Sequence, residues 1–152
     1  SSKLAAAKIA AWSGVRAVIA QASRDDVLEA AVSGAPGAGT VVHPKSRRLP
    51  ARKLWIAFAV GSSGTILVDD GARRALLDRG VSLLAAGVSG VKGSFEVDDA
   101  VEIAGPDGRI FAKGLTRLGS VGLRDVAGLR TGDLPEGMPH EVVHRDDLVV
   151  LP

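Results

Sequence analysis

Ala100-Val-Glu-Ile-Ala-Gly-Pro-Asp-Gly-Arg-Ile-Phe-Ala-Lys-Gly-Leu-Thr116 reads as two strands closed by a tight turn. Gly105-Pro-Asp-Gly108 supplies the turn chemistry, because proline presets φ near about −65° and glycine accepts left-handed backbone at no steric cost. Ala100–Ala104 and Arg109–Thr116 flank it as short apolar runs. Toward the C-terminus a short helix is expected from about Ser120 to Leu129, and a last strand over Leu148–Leu151. Toward the N-terminus Val88–Lys92 and Thr65-Ile-Leu-Val68 read as strands. Between them, Asp69 or Asp70 is placed to cap a helix through Ala72, Ala75, Leu76 and Leu77 that Gly80 stops. Many short strands with glycine-rich turns and one or two small helices predict a compact, mostly β, barrel-like module.

The first forty-odd residues have another rhythm. Ser2 to Ser13 places Leu4, Ala7, Ile9, Ala11 and Trp12 among good helix formers, with Gly14 at its end. Val15 to Ala20 is nearly continuous in apolar residues and reads as a buried parallel strand. Ser23 and Asp26 resemble a capping box, with Asp in place of Glu, opening a helix through Val27, Leu28, Ala31 and Val32. Gly34-Ala-Pro-Gly-Ala-Gly39 breaks the chain before a second strand, Thr40-Val-Val-His43. Helix, strand, helix, strand is the pattern of an α/β layer, yet two strands do not make a doubly wound sheet. The expectation is the tail of a larger α/β domain. Pro44 to Pro50 is a basic, proline-bounded connection, and Ala51 to Val60 reads as either helix or strand. The boundary is expected near the turn Gly61-Ser-Ser-Gly64.

Composition narrows the function classes. The 152 residues, 46% hydrophobic and 24% charged, suit one globular domain or two small ones rather than a disordered chain. With no cysteine there is neither a disulfide framework nor a thiolate zinc site nor a cysteine nucleophile. Three Phe, two Trp and no Tyr leave the core to aliphatic residues. No apolar run approaches the roughly 18 to 20 residues that span a bilayer, and no signal peptide is apparent; no membrane partner and a cytoplasmic location are expected. Nineteen basic against seventeen acidic residues are nearly balanced. Their distribution is not: between Glu29 and Asp69 there is no acidic residue, while Lys45, Arg47, Arg48, Arg52 and Lys53 cluster there. Such a run attracts phosphates or is a solvated basic hinge.

Ser1-Ser-Lys-Leu-Ala-Ala-Ala-Lys-Ile-Ala10 resembles the stretch of bacterial glutamate 5-kinases whose glycine-rich nucleotide motif reads roughly GTGGM-[ST]-[ST]-K. Further likenesses follow in order. Gly39-Thr40 begins the expected strand, Ala51-Arg-Lys-Leu-Trp-Ile56 is similar to RKxWI, and Val68-Asp-Asp-Gly-Ala72 to VDEGA. Arg79-Gly-Val-Ser-Leu-Leu84 is similar to RGxSLL, and His144-Arg-Asp-Asp147 to HRDD. The resemblance implies an α+β chain: residues 1–60 as the C-terminal segment of an α/β amino-acid-kinase domain, and 64–150 as a mostly β PUA pseudo-barrel. It also implies that most of the kinase lies outside these residues.

The activity so implied is transfer of the γ-phosphoryl group of ATP, with Mg²⁺, to the side-chain carboxylate of L-glutamate, in proline biosynthesis. Ser1, Ser2 and Lys3 are the residues that match the ATP motif, and Lys3 is the one catalytic residue the resemblance assigns here. A helix N-terminus presents free N–H groups to phosphate, and a lysine adds a point charge. Read from periodicity alone, the same residues are a serine cap beside a surface lysine. The isolated chain is expected to be inactive, its PUA domain serving a structural or regulatory role that touches oligomer contacts or feedback inhibition by proline.

The other candidates read as structural. His144-Arg145-Asp146 lacks the following Asn and preceding lobe of a protein-kinase catalytic loop, so Asp146 or Asp147 is expected to satisfy local backbone or to pair with Arg145. His43, His140 and His144 lack ligand spacing, and no metal site is expected. Gly34-x-x-Gly37-x-Gly39 follows a helix, the wrong order for a dinucleotide fingerprint. The alternative function is a free-standing PUA-type RNA-binding module. Arg73, Arg74, Arg79 and Lys92 offer a basic surface for it; Glu96, Asp98, Asp99, Glu102 and Asp107 oppose it, and Phe95 and Phe111 are the module's only phenylalanines for base stacking.

Overall fold

The computed structural model describes residues 2–46 and 48–151, and it divides into two compact units, Ser1–Leu54 and Trp55–Pro152. In the first, α1 (Ser2–Trp12) buries Ala7 and Ala11, one turn apart. It ends as expected at Gly14, in left-handed conformation at φ +80°. The carbonyls of Ala11 and Trp12 accept from the backbone N–H groups of Lys45 (2.9 Å) and Leu49 (3.0 Å), so the basic stretch returns to close the helix end.

Strands β1 (Ala17–Ile19) and β2 (Thr40–Val42) pair antiparallel, with Ala17 opposite Val42. The buried parallel strand expected at 15–20 is therefore corrected. All three residues of β1 are only half-buried, whereas a parallel strand is normally covered on both faces. The capping box also fails to form. Helix α2 (Val27–Ser33) has no side-chain cap from Asp26. Arg24 takes that carboxylate instead, Nη2 to Oδ2 at 2.8 Å, and its hydrogen bonds and charge hold the Asp26 carboxyl below the usual range. The Ser23 hydroxyl accepts from Gln21 Nε2 at 2.8 Å. At the other end Gly34 caps the helix, and Arg16 Nη2 donates to the carbonyls of Ala31 (2.7 Å) and Val32 (3.2 Å). The buried apolar residues of this unit are all alanines: Ala7, Ala11, Ala30 and Ala38. Leu28 and Val32 stand 79% and 80% exposed.

The stretch 51–60 is helical. One turn, α3 (Ala51–Leu54), runs into wider π-type turns over Trp55–Ala59 that close with Val60 N–H to Trp55 O at 3.2 Å. The second unit then builds a curled six-stranded sheet from β3 (Gly64–Val68), β4 (Leu83–Leu84), β5 (Val88–Gly93), β6 (Ala100–Ala104), β7 (Ile110–Thr116) and β8 (Glu141–Val150). The spatial order is β4-β8-β7-β6-β3-β5, with β3 parallel to β6 and every other pair antiparallel. The hairpin at 105–108 forms as read: Gly105 N–H bonds Arg109 O at 3.0 Å, and Gly108 N–H bonds Gly105 O at 2.9 Å.

Side chains alternate across the sheet, so Ile66, Val101, Ile103 and Ala112 fall on one face, joined by Val142 and Val143. Phe95, Leu123 and Val126 fill the concavity, the last two from α5 (Ser120–Val126). Phe95 is fixed by a reciprocal pair: Ser120 N–H donates to Phe95 O at 2.8 Å, and Phe95 N–H to Ser120 Oγ at 3.3 Å. Gly64 is required beside it, since a Cβ there would stand 2.6 Å from the Phe95 ring and 2.5 Å from Lys92 O.

The last strand is ten residues long rather than the four expected at 148–151. Its first part pairs with β4 and Thr116, its last part with β7, and the polar His144–Asp147 stretch bridges the two. There Arg145 N–H donates to Ser82 Oγ at 3.0 Å, while Arg145 and Asp146 face each other at 3.9 Å. Helix α4 (Asp70–Arg74) continues as wide turns over Ala75–Arg79 to Gly80. Asp69 caps it, accepting from Ala72 N–H at 2.7 Å.

Two outcomes are expected. Asp69→Ala lowers stability by about 1 kcal/mol in urea unfolding, while Asp70→Ala, one residue inside the helix, is nearly silent. In the hairpin, the Arg109 N–H (3.1 Å) is the main cause that holds the Asp107 carboxyl below its usual range, with the charges of Arg73 and Arg109 adding to it. A depressed folded pKa stabilises above the unfolded value of about 3.9 and is lost as pH falls below it. Asp107→Asn should therefore flatten the acid limb of a melting-temperature profile below about pH 4 and leave the pH dependence near neutrality unchanged.

Candidate functional site

In the first unit the candidate site is the start of α1. Ser2 opens the helix and Lys3 follows it, both exposed, and the first turn carries no acidic residue. The first-turn N–H groups have no partner within a helix, and the dipole adds partial positive charge. Such an end is chemically suited to a polyphosphate, with Lys3 able to swing a cation onto it. Ser1, the third residue of the expected ATP motif, lies outside the described residues. The basic stretch that follows β2 is largely engaged: Lys45 Nζ sits 5.8 Å above the Trp12 ring, and Arg52 and Lys53 have partners. Among the described residues no group of three or more His, Asp or Glu is placed to hold a metal ion.

In the second unit sequence reasoning missed a groove. It has a volume of about 330 Å³ and runs beside the helix from Asp69 to Arg79, with Ala72, Ala75, Leu76 and Leu83 among its walls. Small residues hold it in shape. Gly87 lies so close to the Ala72 methyl that a side chain would not fit, and that glycine, following Ala85-Ala86, was the available signal. The four cations expected to form one basic surface have different employment. Arg73 lies over the Phe111 ring at 5.8 Å and pairs with Asp107 at 3.5 Å. Arg74 Nε donates to Asp70 O at 3.3 Å. Arg79 lines the groove, and Lys92 is exposed on the edge strand β5.

Neither phenylalanine is a stacking platform. Phe95 is in the core, and Phe111 is half-buried with Arg73 over its ring. Neither ring therefore offers an open face for base stacking. His144 is built into the sheet, 3.9 Å from Glu141 and 3.6 Å from Asp146. No helix among the described residues is long and apolar enough to cross a membrane.

Residues 64–137 match the PUA domain family. The chain is similar to proteins named glutamate 5-kinase. It is 42% identical over 153 residues to that of Anaeromyxobacter dehalogenans (strain 2CP-C), covering 98% of this chain and 40% of the relative. Against that of Nitratidesulfovibrio vulgaris (strain DP4) it is 44% identical over 153 residues, covering 98% of this chain and 40% of the relative. A solved PUA domain from Aeropyrum pernix K1 is 24% identical with a TM-score of 0.45, over 86% of this chain and 85% of that one, too distant to carry an argument. The chain thus spans about two fifths of the length of these relatives, and the similarity runs through both units.

Proposed function

We propose that this chain is the C-terminal part of a glutamate 5-kinase, with residues 1–60 closing the amino-acid-kinase domain and 64–150 forming the PUA domain. The observation that carries this reading is the identity of about two residues in five along 98% of the chain, both units included. A free-standing RNA-binding module leaves the likeness of residues 1–54 unexplained. The composition of the first unit supports the kinase reading physically. A unit whose buried apolar residues are all alanines, with Leu28 and Val32 in solvent, lacks the large buried side chains worth about 1.5–3 kcal/mol each that stabilise a domain. It has the character of a piece whose apolar faces belong against more of the same domain.

In that enzyme the chain's own contribution to chemistry lies at the start of α1. Ser2 and the first-turn N–H groups orient the terminal phosphates of ATP, and Lys3 neutralises charge that shifts toward the β,γ-bridge as the γ-phosphoryl group leaves. Magnesium, when bound, shields the same phosphates. The acceptor, the side-chain carboxylate of L-glutamate, is already ionised at neutral pH, so positioning and charge neutralisation replace a general base. The product is glutamyl 5-phosphate. The same reading carries proline as feedback inhibitor of the parent enzyme, a homo-oligomeric and cytoplasmic state, and a structural or regulatory role for the PUA domain.

A coupled assay of glutamate-dependent ADP release tests the proposal. The 152-residue chain should show no turnover, whereas the product of the full-length gene should be active. In that enzyme Lys3→Ala should lower kcat by about 10²-fold without changing its melting temperature. Turnover by the 152-residue chain, or a Lys3→Ala enzyme as fast as wild type, would contradict the assignment.

A further inference from the structure

Lys113 is the one lysine among the described residues that is buried, at 8% exposure. It lies in the middle of β7, directly opposite Glu102 on β6 and Val149 on β8. Residues opposite one another share a face. Val101 and Ile103 point into the main core, so Glu102, Lys113 and Val149 belong to the outer face of the sheet. Ala100 and Leu115 are opposite one another on that same face.

An outer face is ordinarily wet, yet Ala100, Lys113, Leu115 and Val149 are all buried there. The turns Trp55–Ala59 pack against β7 and β8. Ile56 in these turns is fully buried and outside the main core cluster. The segment is further held where it enters β3, by Ser63 N–H to Ala100 O at 2.9 Å.

Burying an ammonium costs several kcal/mol unless it finds partners. Among the described residues no carboxylate pairs with Lys113; its Nζ donates to the carbonyl of Val60. Val60 ends the wide turns, where the last carbonyls lack helical partners and carry the negative end of the dipole. A cation delivered there from the sheet satisfies both groups at once.

We propose that Lys113 is a positioning residue that locks the segment Trp55–Val60 onto the outer face of the sheet. The stretch entering the β unit is then a fixed part of that unit and not a free linker. The Lys113 ammonium fixes where the segment ends. On the kinase reading, this sets the point at which the polypeptide leaving the catalytic domain becomes rigid. The lock stands on the second unit alone and is testable whether or not that reading holds.

Amide hydrogen exchange on the 152-residue chain tests it. In Lys113→Met, which keeps the stem and removes the donor, the amides of residues 56–60 should exchange at least about tenfold faster. The amides of β3 and β6 should keep their wild-type rates. Lys113→Arg, long enough to reach the same carbonyl, should restore slow exchange at 56–60. If Lys113→Met does not fold, Lys113→Leu, which also lacks a donor, replaces it under the same criterion. Unchanged exchange at 56–60, or acceleration spread equally over all strands, would overturn the proposal.

Discussion

The β unit depends on one constraint: a curled sheet must find enough side chain to fill its concave face. Ile66, Val68, Val101, Ile103, Val142 and Val143 line that face and are fully buried, and Phe95 with Leu123 fills the space between them. The neighbouring features follow from it. Gly64 has no side chain because Phe95 occupies the space, and Ser120 holds Phe95 through a reciprocal hydrogen-bond pair. Gly114 lacks a side chain because β8 crosses closely there, with Asp147 O 2.9 Å from where a Cβ would stand. With β3 parallel to β6 and antiparallel to β5, the sheet is not a simple meander, and α4 lies in the connection from β3 toward β5.

The first unit lacks this constraint altogether. Its hydrogen bonding is well resolved, with Gly14 and Gly34 ending helices, Arg16 closing the carbonyls of α2, and the return of the basic stretch onto α1. Its burial is not comparable, because alanine contributes little apolar area. Hydrogen bonds that replace bonds to water are worth about 0.5–1.5 kcal/mol each, which does not offset chain entropy without a packed core. Leu28 and Val32 add nothing to it, standing 79% and 80% exposed.

The features legible in the sequence were those decided locally. Gly105-Pro-Asp-Gly108 dictates its hairpin, Asp69 its cap and Gly80 a helix stop, because the interacting atoms lie within a few residues. The Ser23–Asp26 box does not form because Arg24, two residues away, takes the carboxylate in a pair of hydrogen bonds. The direction of β1 and the length of β8 were hidden for another reason. Apolar content does not encode strand polarity, and the polar His144–Asp147 run is held in β8 by Ser82, far away in sequence. The groove beside α4 and the burial of Lys113 are likewise products of tertiary approach.

Site-resolved amide exchange on the 152-residue chain near neutral pH measures the contrast between the two units directly. The amides of β3, β6, β7 and β8 should be protected to the limit set by global unfolding, and those of β1, β2 and α2 should exchange orders of magnitude faster, through local opening. Equal protection in both units would contradict the account, because the first unit would then be stable on its alanine core alone.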